Sequence, residues 1–86
     1  MAYQKLQQGR AEAVTPDDTN KIPYVGYPTE TWPCVLYVGV GGDVRVLTAG
    51  GDDVIFFNVP TGAVLPIQVV QVFATDTTAS RIVALW

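Results

Sequence analysis

The sequence predicts an all-β domain: a small antiparallel sandwich or jelly-roll-like barrel of about five or six short strands with an extended N-terminal arm. Three observations lead there. From Cys34 onward the chain is a series of apolar runs rich in Val, Ile, Tyr and Phe, the residue types that suit a pleated, packed surface. Clusters of Gly, Asp, Pro and Thr separate those runs at about 8–12-residue intervals, the spacing of short strands joined by turns. Before Cys34 the chain is polar and interrupted by Pro16, Pro23, Pro28 and Pro33. Each proline fixes φ and biases the residue before it toward extended backbone.

Taken in order, residues 1–33 read as the arm and 34–86 as the compact β domain. A short helix over 1–12 has acceptable formers in Lys5, Leu6, Gln7, Gln8 and Ala11. Gly9 weakens it, and Tyr3, Leu6, Ala11 and Val14 make a poor stripe, so extended structure is expected instead. Tyr24, Tyr27 and Trp32 give the arm three aromatic anchors, which a disordered tail seldom carries. The strands then follow as 34–40, 44–48, 54–59, a long run over 63–74, and 81–86. Gly-Gly-Asp stands between apolar runs at both 41–43 and 50–52, a hairpin signal because Gly supplies positive φ and Asp tolerates it. The expected topology is a five-strand meander.

Alternation sets Leu36, Val38 and Val40 on one face of the first strand and Val35, Tyr37 and Gly39 on the other. Phe56 and Phe57 likewise point opposite ways. Strands apolar on both faces need covering twice, by a second sheet, by the arm or by a neighbouring subunit. Gln68 and Gln71 lie three apart and cannot both face solvent in an unbroken period of two. A bulge near Val69-Val70 would reconcile them, and Pro66 marks another irregular or edge position.

Composition bounds the function. At 86 residues the chain is one small domain, hiding roughly 60–65% of its unfolded surface. Such domains are commonly reinforced by disulfides, a metal or oligomerisation. A single cysteine excludes an intrachain disulfide, and the absence of histidine leaves oxygen donors that suit calcium or magnesium rather than zinc. Oligomerisation remains. The chain is 49% hydrophobic and 15% charged, with a mean hydropathy of +0.26, against about 25% charged residues in a typical soluble domain. A subunit interface is the simplest home for that apolar excess. The net charge of −3 and the scattered cations Lys5, Arg10, Lys21, Arg45 and Arg81 argue against nucleic-acid binding, which needs clustered Lys and Arg, so no nucleic-acid partner is expected. The apolar stretches are too short for a membrane helix, and no secretory signal opens the chain, so synthesis in the cytoplasm and no membrane partner are expected.

Catalytic equipment is missing from the sequence. Without histidine the usual general base and the Ser–His and Cys–His dyads are absent. Ser80 lies in a turn cluster. Cys34 opens an apolar strand with no cation beside it to favour the thiolate, and reads as a buried structural thiol. Gly39-Val-Gly-Gly42 lacks the Lys-Ser/Thr of a phosphate loop. Asp17-Asp18 and Asp52-Asp53 read as turn formers. Asp43 joins Asp52 and Asp53 in a calcium site if the two turns gather, though no known loop spacing supports it. Arg45 and Arg81, each in or at the start of an apolar strand, read as solvated edge positions, with a salt bridge to a neighbour's Asp as the alternative. No catalytic residue, cofactor or metal is expected.

Several short motifs also resemble a known family. They are Leu36-Tyr-Val-Gly-Val-Gly-Gly-Asp-Val44, Thr48-Ala-Gly-Gly-Asp52, Phe57-Asn-Val-Pro-Thr-Gly62, Leu65-Pro66, Thr77-Thr78 and Ile82-Val-Ala-Leu-Trp86. In this order they resemble small virion proteins of tailed phages and gene transfer agents, the head-spike base proteins. Ala13-Val-Thr-Pro-Asp-Asp18 is similar to the Val-Thr-Pro-Ser-Asp opening of that family. The resemblance implies a β-rich homo-oligomer on the virion head that contacts the major capsid protein and anchors a spike or fibre. A head-decoration (cement) protein or a tail or neck component would look much alike. A stand-alone carbohydrate- or protein-binding module using Tyr24, Tyr27 and Trp32 is the more distant alternative. Aromatics are enriched at interfaces, which nominates Tyr24, Tyr27, Trp32, Phe57, Phe73 and Trp86 as interface residues.

Overall fold

A computed structural model describes residues 9–24, 27 and 29–86. Six strands form in chain order: β1 (Ala11–Ala13), β2 (Cys34–Val40), β3 (Gly42–Thr48), β4 (Asp53–Val59), β5 (Val64–Val72) and β6 (Ser80–Leu85). They make one sheet in the order β1-β6-β2-β5-β3-β4, with every neighbouring pair antiparallel. The all-β antiparallel class is the one the sequence predicts. Of the segment weighed as a helix, residues 1–8 lie outside the described residues, and Ala11–Ala13 is a strand.

The meander is not what forms. Strands β2 to β5 are one long hairpin folded back on itself. From its tip the ladder runs Leu47↔Asp53 to Gly42↔Val59. It continues through a corner where Gly41 N–H donates to Thr61 Oγ1 at 2.8 Å and Gly62 N–H donates to the Val38 carbonyl at 2.7 Å. Beyond the corner it resumes as Tyr37↔Val64 and Leu36↔Leu65. Folding at the corner lays β3 along the far side of β5, pairing Val46 with Val72 and Thr48 with Val69. The Gly-Gly-Asp at 50–52 is therefore a hairpin tip, as expected, whereas the one at 41–43 is a bend inside an arm of the hairpin. The reason is close packing. A Cβ on Gly41 would stand 2.5 Å from the Val59 carbonyl oxygen, and one on Gly39 would stand 2.5 Å from that of Arg81. Two other segments approach so closely that the chain turns a corner there rather than reversing.

Among the described residues there is no helix and no second sheet, so the folded sheet covers its own inner face. Leu36 and Val38 from β2, Val44 and Val46 from β3, Val69 and Val72 from β5, and Ile82 and Ala84 from β6 are all essentially inaccessible. Each fully buried Val, Leu or Ile side chain contributes about 1.5–3 kcal/mol relative to exposure. The opposite face is treated differently. Tyr37, Val64 and Phe57 point outward and are more than a third exposed, so the described residues do not cover the second apolar face.

The Gln68/Gln71 conflict resolves in two steps. Leu47 pairs with Gln71 and Thr48 with Val69, which leaves Val70 as the extra residue of a bulge. Gln68 is exposed, but Gln71 is buried, and its Nε2 donates to the Asp17 carbonyl at 2.9 Å. The arm, not solvent, satisfies it.

Candidate interaction surfaces

Residues 9–22 are laced to the sheet by backbone bonds. Gly9 and Arg10 donate to the Trp86 carbonyl, Trp86 N–H donates back to Arg10, and Val14 N–H donates to Ile82. The segment then crosses to the end of β5, where Asp17 N–H donates to Val72 and Ile22 N–H donates to Val70. Ile22 enters the core. Asp18 receives the Thr75 hydroxyl at 2.6 Å and the Thr75 N–H at 2.9 Å, and these bonds lower its pKa. Asp17 caps its own turn, accepting the N–H and the hydroxyl of Thr19 and the N–H and Nδ2 of Asn20. Those donors, led by the Thr19 N–H, hold its carboxyl well below the usual range. Between β1 and this crossing lies a cavity of about 250 Å³ whose lining includes Glu12, Val14, Asn20 and Lys21. No spacing in the sequence signals it, because it exists only once the arm is folded back.

The six nominated aromatics fall in three places. Tyr24, Tyr27, Trp32 and Trp86 form one cluster beside the end of β6. The Tyr24 ring stacks on Trp32 with centroids 4.4 Å apart and on Tyr27 at 5.5 Å, and meets Trp86 edge-on at 5.1 Å. Trp86 Nε1 donates to the Trp32 carbonyl at 3.0 Å, and Trp32 Nε1 donates to Glu30 Oε1 at 3.2 Å. The Arg10 guanidinium lies 5.9 Å from the Tyr24 centroid. Tyr27 and Trp32 keep about half their surface in solvent. The cluster thus holds the arm in place and presents an aromatic face.

Phe57 stands apart on β4 and is 68% exposed. Phe73 lies under Arg45, whose Cζ is 4.4 Å from the ring centroid. Arg45 also makes a forked bond to Asp53, Nε to Oδ1 at 3.0 Å and Nη2 to Oδ2 at 2.8 Å, with Asp76 at 3.7 Å. This pairing raises the arginine pKa and lowers that of Asp53. Both readings of Arg45 are corrected here: its acid is in its own chain, two residues along the facing strand. Arg81 is exposed, with a φ of 55°.

The structure does not bring the remaining sequence candidates together. Asp43 and the Asp52-Asp53 pair sit at opposite ends of the β3–β4 ladder, so the two turns do not gather. Asp43 Oδ1 accepts the Asn58 N–H at 3.0 Å, and Asp52 N–H donates to Thr48 Oγ1 at 3.0 Å. Cys34 is 2% exposed, and burial pushes its thiol up to about 12, so it stays protonated. Gly39, Gly41 and Gly42 are packed against Arg81, Val59 and Ala79 where a Cβ would stand, which accounts for the glycines by close approach.

No protein-family model matches the chain, and no curated protein matches it. Among solved structures it is similar to a chain from the capsid of a native gene transfer agent (GTA) particle, a structure computed with C5 symmetry. The two are 29% identical with a TM-score of 0.73, over 92% of this chain and 83% of that one.

Proposed function

We propose that this chain is a structural protein of a tailed-phage-like virion, a small β subunit on the head that self-associates and serves as the base of a spike or fibre. The observation that carries the reading is its likeness to a GTA capsid chain over nearly the whole domain, at an identity that joins fold and sequence. The surfaces agree with such a role. The inner face of the sheet is complete within one chain, while the outer face and β4 leave Tyr37, Val64 and Phe57 exposed. The stacked aromatics beside Trp86 offer a second contact region. The partners of this reading are further copies of the chain, the major capsid protein and a spike or fibre protein. Its role is structural rather than catalytic.

Particles purified from producing cells test it. The chain should copurify in fixed stoichiometry and cross-link to the major capsid protein. Particles made without it should keep closed heads and lose their spikes or fibres. Fragile heads with spikes retained would instead make it a decoration protein, and particles that never contain the chain would sink the proposal.

A further inference from the structure

Among the described residues the sheet has two open edges, β1 and β4. They differ in ways that fit each other. On the β1 side, Arg10 and Trp86 exchange both backbone bonds and Val14 N–H donates to Ile82. Antiparallel alternation then turns Arg10, Glu12 and Val14 toward β6 and leaves the N–H and C=O of Ala11 and Ala13 on the open side. On the β4 side, Thr48 N–H donates to the Asp52 carbonyl. The same alternation turns Val54 and Phe56 toward β3 and leaves the backbone groups of Asp53 and Ile55 open.

Direction and pleat match as well. Strands alternate without exception across the sheet, so β1 and β4, first and sixth in order, run opposite ways. A β4 edge laid beside a β1 edge therefore continues the antiparallel order. Ala13 shares a cross-strand row with Val83 and Tyr37, and Ile55 faces Arg45. Both rows lie on the outer face, so the residues offering free backbone groups at each edge have side chains on the same side of the sheet. Their sizes are complementary too: alanines on β1 leave space for Ile55 and Phe57 on β4.

Between Val54 and Phe57, before the irregularity at its far end, the β4 edge also lacks side-chain protection. Edge strands are commonly guarded by lysine, proline or an inward charge along their length. Here the stretch Val54-Ile-Phe-Phe57 has none of these, and Val54 and Phe57 are 38% and 68% exposed. We infer that copies of this chain join head to tail, the β4 edge of one pairing antiparallel with the β1 edge of the next. Such a junction uses two different surfaces, so it propagates and closes into a ring when the rotation allows. The inference rests on the self-association in the reading above and names the surface that performs it.

Paired cysteines in the full chain test it, because Ile55 can sit opposite Ala11 or Ala13 in the two in-phase registers. Ile55→Cys combined with Ala11→Cys, or with Ala13→Cys, should give under mild oxidation a ladder of covalent species running beyond the dimer. Ile55→Cys with Glu12→Cys, out of phase, should give far less. Phe57→Lys, at an exposed position, should abolish the assembly and leave the melting temperature of the single chain unchanged. A dimer formed by Ile55→Cys alone would overturn the inference in favour of a symmetric β4–β4 contact. Failure of both in-phase pairs to cross-link would overturn it outright. Run on purified particles, the same test separates the two proposals. Particles that contain the chain but yield no ladder defeat the edge contact alone, and particles without the chain defeat the virion role.

Discussion

The tripeptide Gly-Gly-Asp occurs at 41–43 and again at 50–52, and the two copies do opposite things. At 50–52 it reverses the chain between β3 and β4, with Gly51 at a φ of 94° and open space where its Cβ would be. At 41–43 it bends a strand without reversing it, so β2 and β3 both run antiparallel to β5. Its surroundings are crowded. Asp43 N–H donates to the Thr78 hydroxyl, and its carbonyl accepts the N–H groups of Thr78 and Ala79. The tip owes Gly51 to backbone conformation, and the corner owes Gly41 to the proximity of other segments. The same local signal serves two global purposes, and tertiary contacts choose between them.

The largest consequence concerns Gly41. A methyl group there meets backbone on two sides, the Val59 carbonyl oxygen at 2.5 Å and Thr61 N at 2.8 Å. Backbone cannot swing aside as a side chain can, so the corner must open. Gly41→Ala is expected to cost about 3 kcal/mol, the upper range for overpacking. For a domain of this size that is roughly 12–24 °C in melting temperature. Thermal unfolding followed by far-UV circular dichroism measures it, and a shift under a few degrees would mean that the corner is looser than its contacts indicate.

The two aspartates sharpen the contrast at smaller scale. Asp43 Oδ1 accepts the N–H of Asn58, a residue held at a φ of 56° beside the irregular end of β4. The Asp52 carboxylate has a longer bond, from the Thr48 hydroxyl at 3.4 Å, while Thr48 keeps its bond from the Asp52 N–H whatever the side chain. Asp43→Ala should therefore destabilise by about 1 kcal/mol. Asp52→Ala should stay within about 0.5 kcal/mol of the parent. Equal losses in urea titrations of the two variants would show that the two turns are less different than their bonding suggests.

Much of the fold was legible because a period of two is a local property. Leu36 and Val38 declare the inner face by alternation alone and are buried, whereas Val40, set on the same face, lies at the corner and is 43% exposed. The strand order was not legible, because nothing in the sequence of 41–43 distinguishes a corner from a hairpin. Gln71 shows the same limit: its polarity predicts solvent, but the arm brings the Asp17 carbonyl to it. In the candidate surfaces, Tyr24, Tyr27 and Trp32 announce an anchored arm. That Trp86 completes their cluster depends on β1 pairing with β6, a contact between the two ends of the described chain. Phe56 and Phe57 look equivalent in sequence, yet Phe56 packs on the core and Phe57 projects into solvent. The Arg45–Asp53 fork emerges only when the β3–β4 register is known, since Asp53 stands two residues from Arg45's direct partner Ile55.

The finest test lies inside the hairpin tip itself, where the two adjacent glycines should respond differently. A Cβ on Gly50 would have its nearest neighbours at 3.9 Å, the carboxylate of Asp52 and the hydroxyl of Thr48, and its φ is not positive. An added methyl group there makes ordinary contacts and restricts the unfolded chain, so Gly50→Ala should be neutral or stabilising by a few tenths of a kcal/mol, about what a compatible glycine replacement gives. Gly51 has still more room, with nothing within 4 Å, but its φ of 94° lies where a Cβ is strained. Gly51→Ala should cost about 1 kcal/mol despite that empty space. Space and conformation thus make opposite forecasts for Gly51. If it tolerates alanine as well as Gly50 does in the same urea titration, contacts alone govern both Gly-Gly-Asp segments, and the distinction between a conformational tip and a crowded corner fails.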